Sequence, residues 1–60
     1  MTSLLSNTAS VLTIDDDRLV RESISVFLED SGYTILEADN GVEGLRLFRE
    51  QAPDIVVCDL

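Results

Sequence analysis

The sequence predicts an α/β fold built on a parallel sheet, and three observations predict it. Residues 11–14, 33–36 and 55–58 form short runs that are nearly all apolar or β-branched, as suits strands covered on both faces. The runs begin 22 residues apart each time, which leaves room for one helix in each gap. The gaps themselves carry a helical period rather than a strand alternation.

The first run is Val11-Leu12-Thr13-Ile14. In the gap that follows, Val20, Ile24, Phe27 and Leu28 take the spacing of one buried helical stripe. Arg18, Arg21, Glu22, Glu29 and Asp30 fall largely on the other side. Asp16 or Asp17 can cap the start of this helix, and Gly32 stands where its stop is expected. The second run is Tyr33-Thr34-Ile35-Leu36. Asn40-Gly41 then opens a second helix, whose stripe is Val42, Leu45 and Phe48. Ala52-Pro53 closes it, because proline disfavours the helical region for its predecessor. The third run is Ile55-Val56-Val57-Cys58. The order is therefore β-α-β-α-β, with right-handed crossovers between parallel strands. The even spacing is not a repeat: the segments share no residue pattern, and the leucine-rich template is missing.

Sixty residues make one small domain at most, and a chain that short buries only about 60% of its unfolded surface. Residues 10–60 are expected to form the folded part, with 1–9 as a flexible tail. Cys58 is the only cysteine. A lone cysteine in an apolar run is usually an inert core residue, and the pattern suits a reducing compartment rather than a secreted scaffold. The first ten residues have no basic side chain and one apolar pair, Leu4-Leu5, which is neither a signal peptide nor a membrane span. The cytoplasm is the expected location. Net charge is −8, with four arginines and no lysine or histidine. That balance repels a duplex backbone, so no direct nucleic-acid contact is expected of this segment.

The acids cluster. Asp15, Asp16 and Asp17 follow the first run at once, and Asp59 ends the third. In open parallel sheets, ligands bind at the carboxyl ends of the strands, where strand order reverses. With the first strand between the other two, the order is 2-1-3, as in flavodoxin-like doubly wound sheets, and these carboxylates converge on one crevice. Crowded carboxylates repel, and a hard divalent cation such as Mg²⁺ removes the conflict. Mg²⁺ also neutralises charge while a phosphoryl group moves onto a carboxylate oxygen, giving an acyl phosphate. Taken alone, Asp15 and Asp16 read equally well as a solvated turn, and Asp17 reads as a helix cap. Asp59 is less ordinary, because a carboxylate adjoining an apolar strand needs a partner.

These residues resemble a known family. Val11-Leu12-Thr13-Ile14-Asp15-Asp16-Asp17 resembles the opening of a response-regulator receiver domain. Asp39-Asn40-Gly41-Val42-Glu43-Gly44-Leu45 is similar to that family's turn into its second helix. Pro53-Asp54-Ile55-Val56-Val57-Cys58-Asp59-Leu60 is similar to its third strand and phosphorylation site. The resemblance implies that Asp59 takes a phosphoryl group from a phosphohistidine on a sensor histidine kinase or a phosphotransfer protein. It implies that Asp16 ligates Mg²⁺ directly, Asp15 directly or through water, and that Asp59 is the third carboxylate at the metal. It also implies an attached or separate output that the receiver switches. A looser likeness, in Arg21-Glu22-Ser23 and Phe27-Leu28-Glu29-Asp30-Ser31, links the chain to pseudomonad regulators related to the adaptor that delivers the stress sigma factor for degradation.

The family's later parts have no counterpart among these residues: the carbonyl two positions beyond the phosphoacceptor, the Met-Pro turn, the switch Ser/Thr and the lysine. A fragment of a longer product is the expectation. Two alternatives remain. Asp15-x-Asp17 resembles the first motif of haloacid-dehalogenase-type phosphatases, which a helix over residues 18–30 would argue against. A half-sheet interaction module without catalysis is the other. A calcium loop is excluded, because Val20 stands where the EF-hand spacing wants glycine.

Overall fold

Residues 9–59 are described in a computed structural model. The expected tail over residues 1–9 thus lies outside the described residues, apart from Ala9. The elements run β1 (Ser10–Asp15), α1 (Arg18–Asp30), β2 (Thr34–Ala38), α2 (Gly41–Gln51) and β3 (Ile55–Asp59). The three strands form one parallel sheet in the order β2-β1-β3, the first part of a flavodoxin-like doubly wound sheet. No described helix is long and apolar enough to cross a membrane.

The helices lie on opposite faces. Side chains alternate along a strand, so Leu12 and Ile14 share one face of β1 while Val11, Thr13 and Asp15 share the other. The first face is dry: Leu12, Ile14 and Ala38 form the core cluster, and Leu36 and Leu47 of α2 pack against it. The second face is mixed, with Val11 buried beside polar side chains. Thr13, Asp15 and Ser25 of α1 are buried there, and Arg21 of α1 reaches Glu37 on β2. Glu37 is the register partner of Thr13.

β2 starts one residue later than the sequence predicts and ends two residues later. The cause is the end of α1. The Tyr33 N–H donates to the Leu28 carbonyl at 3.1 Å and the Gly32 N–H to the Glu29 carbonyl at 3.0 Å. That pair of bonds is a Schellman stop with Gly32 in the left-handed region, φ 98°. Tyr33 therefore belongs to the helix terminus. At the other stop, Ala52 takes φ 46° just before Pro53, a conformation that costs an L-residue about 1–2 kcal/mol.

Both helical stripes are rotated from their expected positions. On α1, Ile24 and Leu28 face the sheet, but Val20 and Phe27 are exposed, and Arg21 and Ser25 complete the inner face. On α2, Val42, Leu45 and Phe48 are all exposed, and Gly44 and Leu47 turn inward. Gly44 is there because the helix comes very close to β1. A Cβ at Gly44 would meet Ile14 Cδ1 and would lie 2.9 Å from Ile14 Cγ1.

Full burial on both faces holds for β1 alone. Among the described residues, both helices pack on β1 and β2 and neither packs on β3. Ile55 and Val56 are half-exposed as a result. Cys58, expected in the core, is exposed for the same reason.

Candidate functional site

Asp15 ends β1 and Asp59 ends β3, and the two are register partners, the last pair of that ladder. Paired strands lie about 4.8 Å apart, and partners in register point to the same face. The two carboxylates thus stand side by side at the carboxyl edge of the sheet. Asp15 is 4% exposed; Asp16, in the bend that follows, and Asp59 are exposed.

The acid triplet divides its work. Asp17 is the N-cap of α1: its Oδ1 accepts from the Leu19 N–H at 3.0 Å and the Val20 N–H at 3.3 Å. The Asp15 Oδ1 accepts from the Asp17 N–H at 2.9 Å, closing the turn between strand and helix. That leaves Asp15 Oδ2 and the carboxylates of Asp16 and Asp59 without a hydrogen-bond partner among the described residues. No side-chain hydrogen bond holds Asp16 among the described residues.

Asp54 sits at the opposite edge. Its Oδ2 accepts from the Ser10 N–H at 2.8 Å and from the Ser10 hydroxyl at 3.4 Å. Its own N–H donates to the Ser10 carbonyl at 2.9 Å. It ties the starts of β1 and β3 together, a strand's length, about 16 Å, from the acid pair.

Two site residues escape the sequence reading. Arg21, assigned to the solvent side of α1, turns into the sheet: its side chain is only 15% exposed. Its Nη1 donates to the Asp15 carbonyl at 2.7 Å, and its Nε donates to Glu37 Oε1 at 3.0 Å. Arg21, Ile24, Ser25 and Leu28 have the spacing of one helical face, which is the signal that could have found it. With Ala38, Asp39 and Glu43, this pair lines a polar cleft.

Among the described residues no three acidic or thiol side chains close on one point tightly enough to form a metal cluster. The donor chemistry nonetheless suits Mg²⁺, which accepts one or two carboxylates and keeps several waters. Asp15 and Asp59 are two hard oxygen donors at one edge, and among the described residues no arginine is paired with either carboxylate.

Comparison with known proteins decides the family. The model of the response regulator receiver domain matches residues 11–60. The chain belongs to that family. The receiver is 41% identical over 51 residues to the virulence-factor transcription regulator BvgA of Bordetella pertussis, a match covering 83% of this chain and 24% of that protein. It is 46% identical over 50 residues to the response regulator MprA of a Mycobacterium species, covering 83% of this chain and 22% of that protein. The transcriptional regulatory protein AfsQ1 of Streptomyces coelicolor is 39% identical over 51 residues, covering 85% and 23%. The receiver segment thus spans about a quarter of the length of the curated relatives it matches. Membership places it in two-component signalling. The helical segment begins at Arg18, directly after the Asp17 cap, which leaves no room for the flap of a haloacid-dehalogenase-type phosphatase.

Proposed function

We propose that this receiver segment carries the phosphoacceptor of a two-component phosphorelay, with Asp59 as the accepting residue. A sensor histidine kinase or a phosphotransfer protein is the donor, and an output domain or separate effector reads the result. The observation that carries the reading is the register pairing of Asp15 with Asp59 at the carboxyl ends of adjacent strands. A carboxylate oxygen of Asp59 attacks the phosphorus. The bond from phosphorus to the donor imidazole nitrogen breaks, and the imidazole leaves with that electron pair and takes up a proton.

Asp15, Asp16 and Asp59 would hold Mg²⁺, which when bound supplies positive charge beside the transferring oxygens. The chain's own residues orient the site. The Asp17 cap and the Asp17-to-Asp15 bond fix the turn, and the burial of Asp15 keeps one acid in a set place. The bonds of Asp54 to Ser10 at the far edge speak against it as acceptor. A cytoplasmic setting agrees with the free thiol of Cys58.

The test is mass spectrometry of the full-length protein after treatment with a small-molecule phosphodonor and Mg²⁺. Wild type and Asp54→Asn should carry one base-labile, hydroxylamine-sensitive phosphoryl group, and Asp59→Asn none. Phosphate retained in Asp59→Asn, or lost in Asp54→Asn, would sink the assignment.

A further inference from the structure

We propose that Arg21 is a positioning residue for the acid pair: by gripping the Asp15 carbonyl it sets where the Asp16 carboxylate stands. The inference rests on the metal-assisted reading above. Asp16 follows the last residue of β1, so its side chain swings with the peptide that joins it to Asp15. The Asp17 N–H, one peptide further on, donates to the Asp15 carboxylate at 2.9 Å and closes the turn around that peptide. The Arg21 Nη1 holds the carbonyl itself at 2.7 Å. The Arg21 N–H, donating to the Asp17 carbonyl at 2.9 Å, ties the same turn to the helix.

The anchor for this grip is Glu37 on β2, which takes the Arg21 Nε at 3.0 Å. One planar guanidinium therefore links α1, the end of β1 and the neighbouring strand. Arginine can do this because its donors form a rigid fork; a lysine ammonium on a flexible stem cannot hold the same two acceptors in fixed geometry. With a side chain only 15% exposed, Arg21 makes these bonds largely out of water. Groups that orient metal ligands without touching the metal commonly change its affinity 10–100-fold when removed.

The test compares Arg21→Gln, Arg21→Lys, Asp16→Asn and Leu28→Ala in the full-length protein. Leu28 lies on the same inner face of α1 and away from the acids, so its truncation loosens the helix without releasing the Asp15 carbonyl. Mg²⁺ affinity is read by calorimetry, stability by thermal unfolding, and phosphorylation by a small-molecule donor across a Mg²⁺ series. Arg21→Gln should weaken Mg²⁺ binding about tenfold or more, with Arg21→Lys intermediate. Leu28→Ala should stay within about twofold of wild type despite a comparable loss of thermal stability. The phosphorylation defect of Arg21→Gln should recover at high Mg²⁺. If Arg21→Gln does not fold, Arg21→Lys is judged by the same comparison with Leu28→Ala. Equal Mg²⁺ affinities in the Arg21 and Leu28 variants, with Asp16→Asn weakened, would overturn the inference and leave the metal reading intact. Unchanged affinity in Asp16→Asn as well would overturn both.

Discussion

Asp15 and Asp59 close the β1–β3 ladder as its last register pair, like charges on adjacent strands. In a buffer without divalent cations this pairing is a repulsion within the native state. Asp59→Asn should therefore stabilise the metal-free protein, by about 1 kcal/mol for charges near 5 Å in a watery environment. The gain should shrink or reverse in millimolar Mg²⁺. Paired denaturant titrations of wild type and Asp59→Asn, with and without Mg²⁺, measure it. A variant less stable than wild type in both buffers would show that the two carboxylates do not share a site.

The acid triplet should separate into distinct roles under mutation. Asp16→Asn should weaken Mg²⁺ binding and slow phosphorylation. Asp17→Asn should change both far less, because asparagine caps a helix as well as aspartate. Asp17→Ala should instead lower stability by about 1 kcal/mol, through the loss of the bonds to Leu19 and Val20. Calorimetry and chemical unfolding on the three variants decide between these assignments.

Gly44 should be intolerant of a side chain. Alanine gains about 1 kcal/mol in helix propensity, but overpacking costs about 1–3 kcal/mol. The new methyl would overlap Ile14, a residue buried in the core cluster. A net loss of about 1 kcal/mol is expected for Gly44→Ala. In an Ile14→Val background, which removes the Cδ1 atom but keeps Cγ1, the same substitution should cost less than in wild type. A double-mutant cycle reads the coupling directly.

On α2, Glu43 accepts from Arg46, and that hydrogen bond holds its carboxyl below the ordinary glutamate value, with the positive charge adding to the effect. The group favours the folded state above its unfolded pKa, and the contribution fades as pH falls through the lowered folded value. Arg46→Gln should raise the Glu43 midpoint in an NMR titration and remove that part of the acid sensitivity. Both side chains are exposed, so added salt should shrink the difference. An unmoved midpoint in Arg46→Gln would rule out the pairing in solution.

The topology was legible because apolar runs and turn residues are local signals. The three strands, the two helices between them, the Asp17 cap and the Gly32 stop all exist as the residues indicate, with β2 alone displaced, to Thr34–Ala38, by the helix stop before it. The facing of the helices was not legible. Each helix carries apolar residues on two sides, Ile24 and Leu28 against Leu19, Val26 and Phe27 on α1, and periodicity alone does not choose between them. On α2 the choice is made by Gly44, which has no hydrophobic side chain to announce it. Arg21 was hidden for a related reason: charge assigned it to solvent, while its bonds to the Asp15 carbonyl and to Glu37 are contacts from α1 to two strands that its charge does not announce. The acids at the strand ends could be read, but their pairing in register could not, because no local rule aligns Asp15 with Asp59.

The central position of β1 also dictates how the molecule comes off the ribosome. Its hydrogen-bonding edges are made first and satisfied last. β2 can pair with one edge as soon as it emerges, but Ile55, the partner of Val11 on the other edge, lies 44 positions downstream. At about 5–20 residues per second, Val11 to Ile14 wait roughly 2–9 s with one edge bare. Through that interval the most apolar strand of the nascent chain is open to pairing with whatever strand reaches it first. The acids that follow it, Asp15 to Asp17, leave the tunnel with it and place three negative charges at its end, where they oppose stacking of one nascent copy on another.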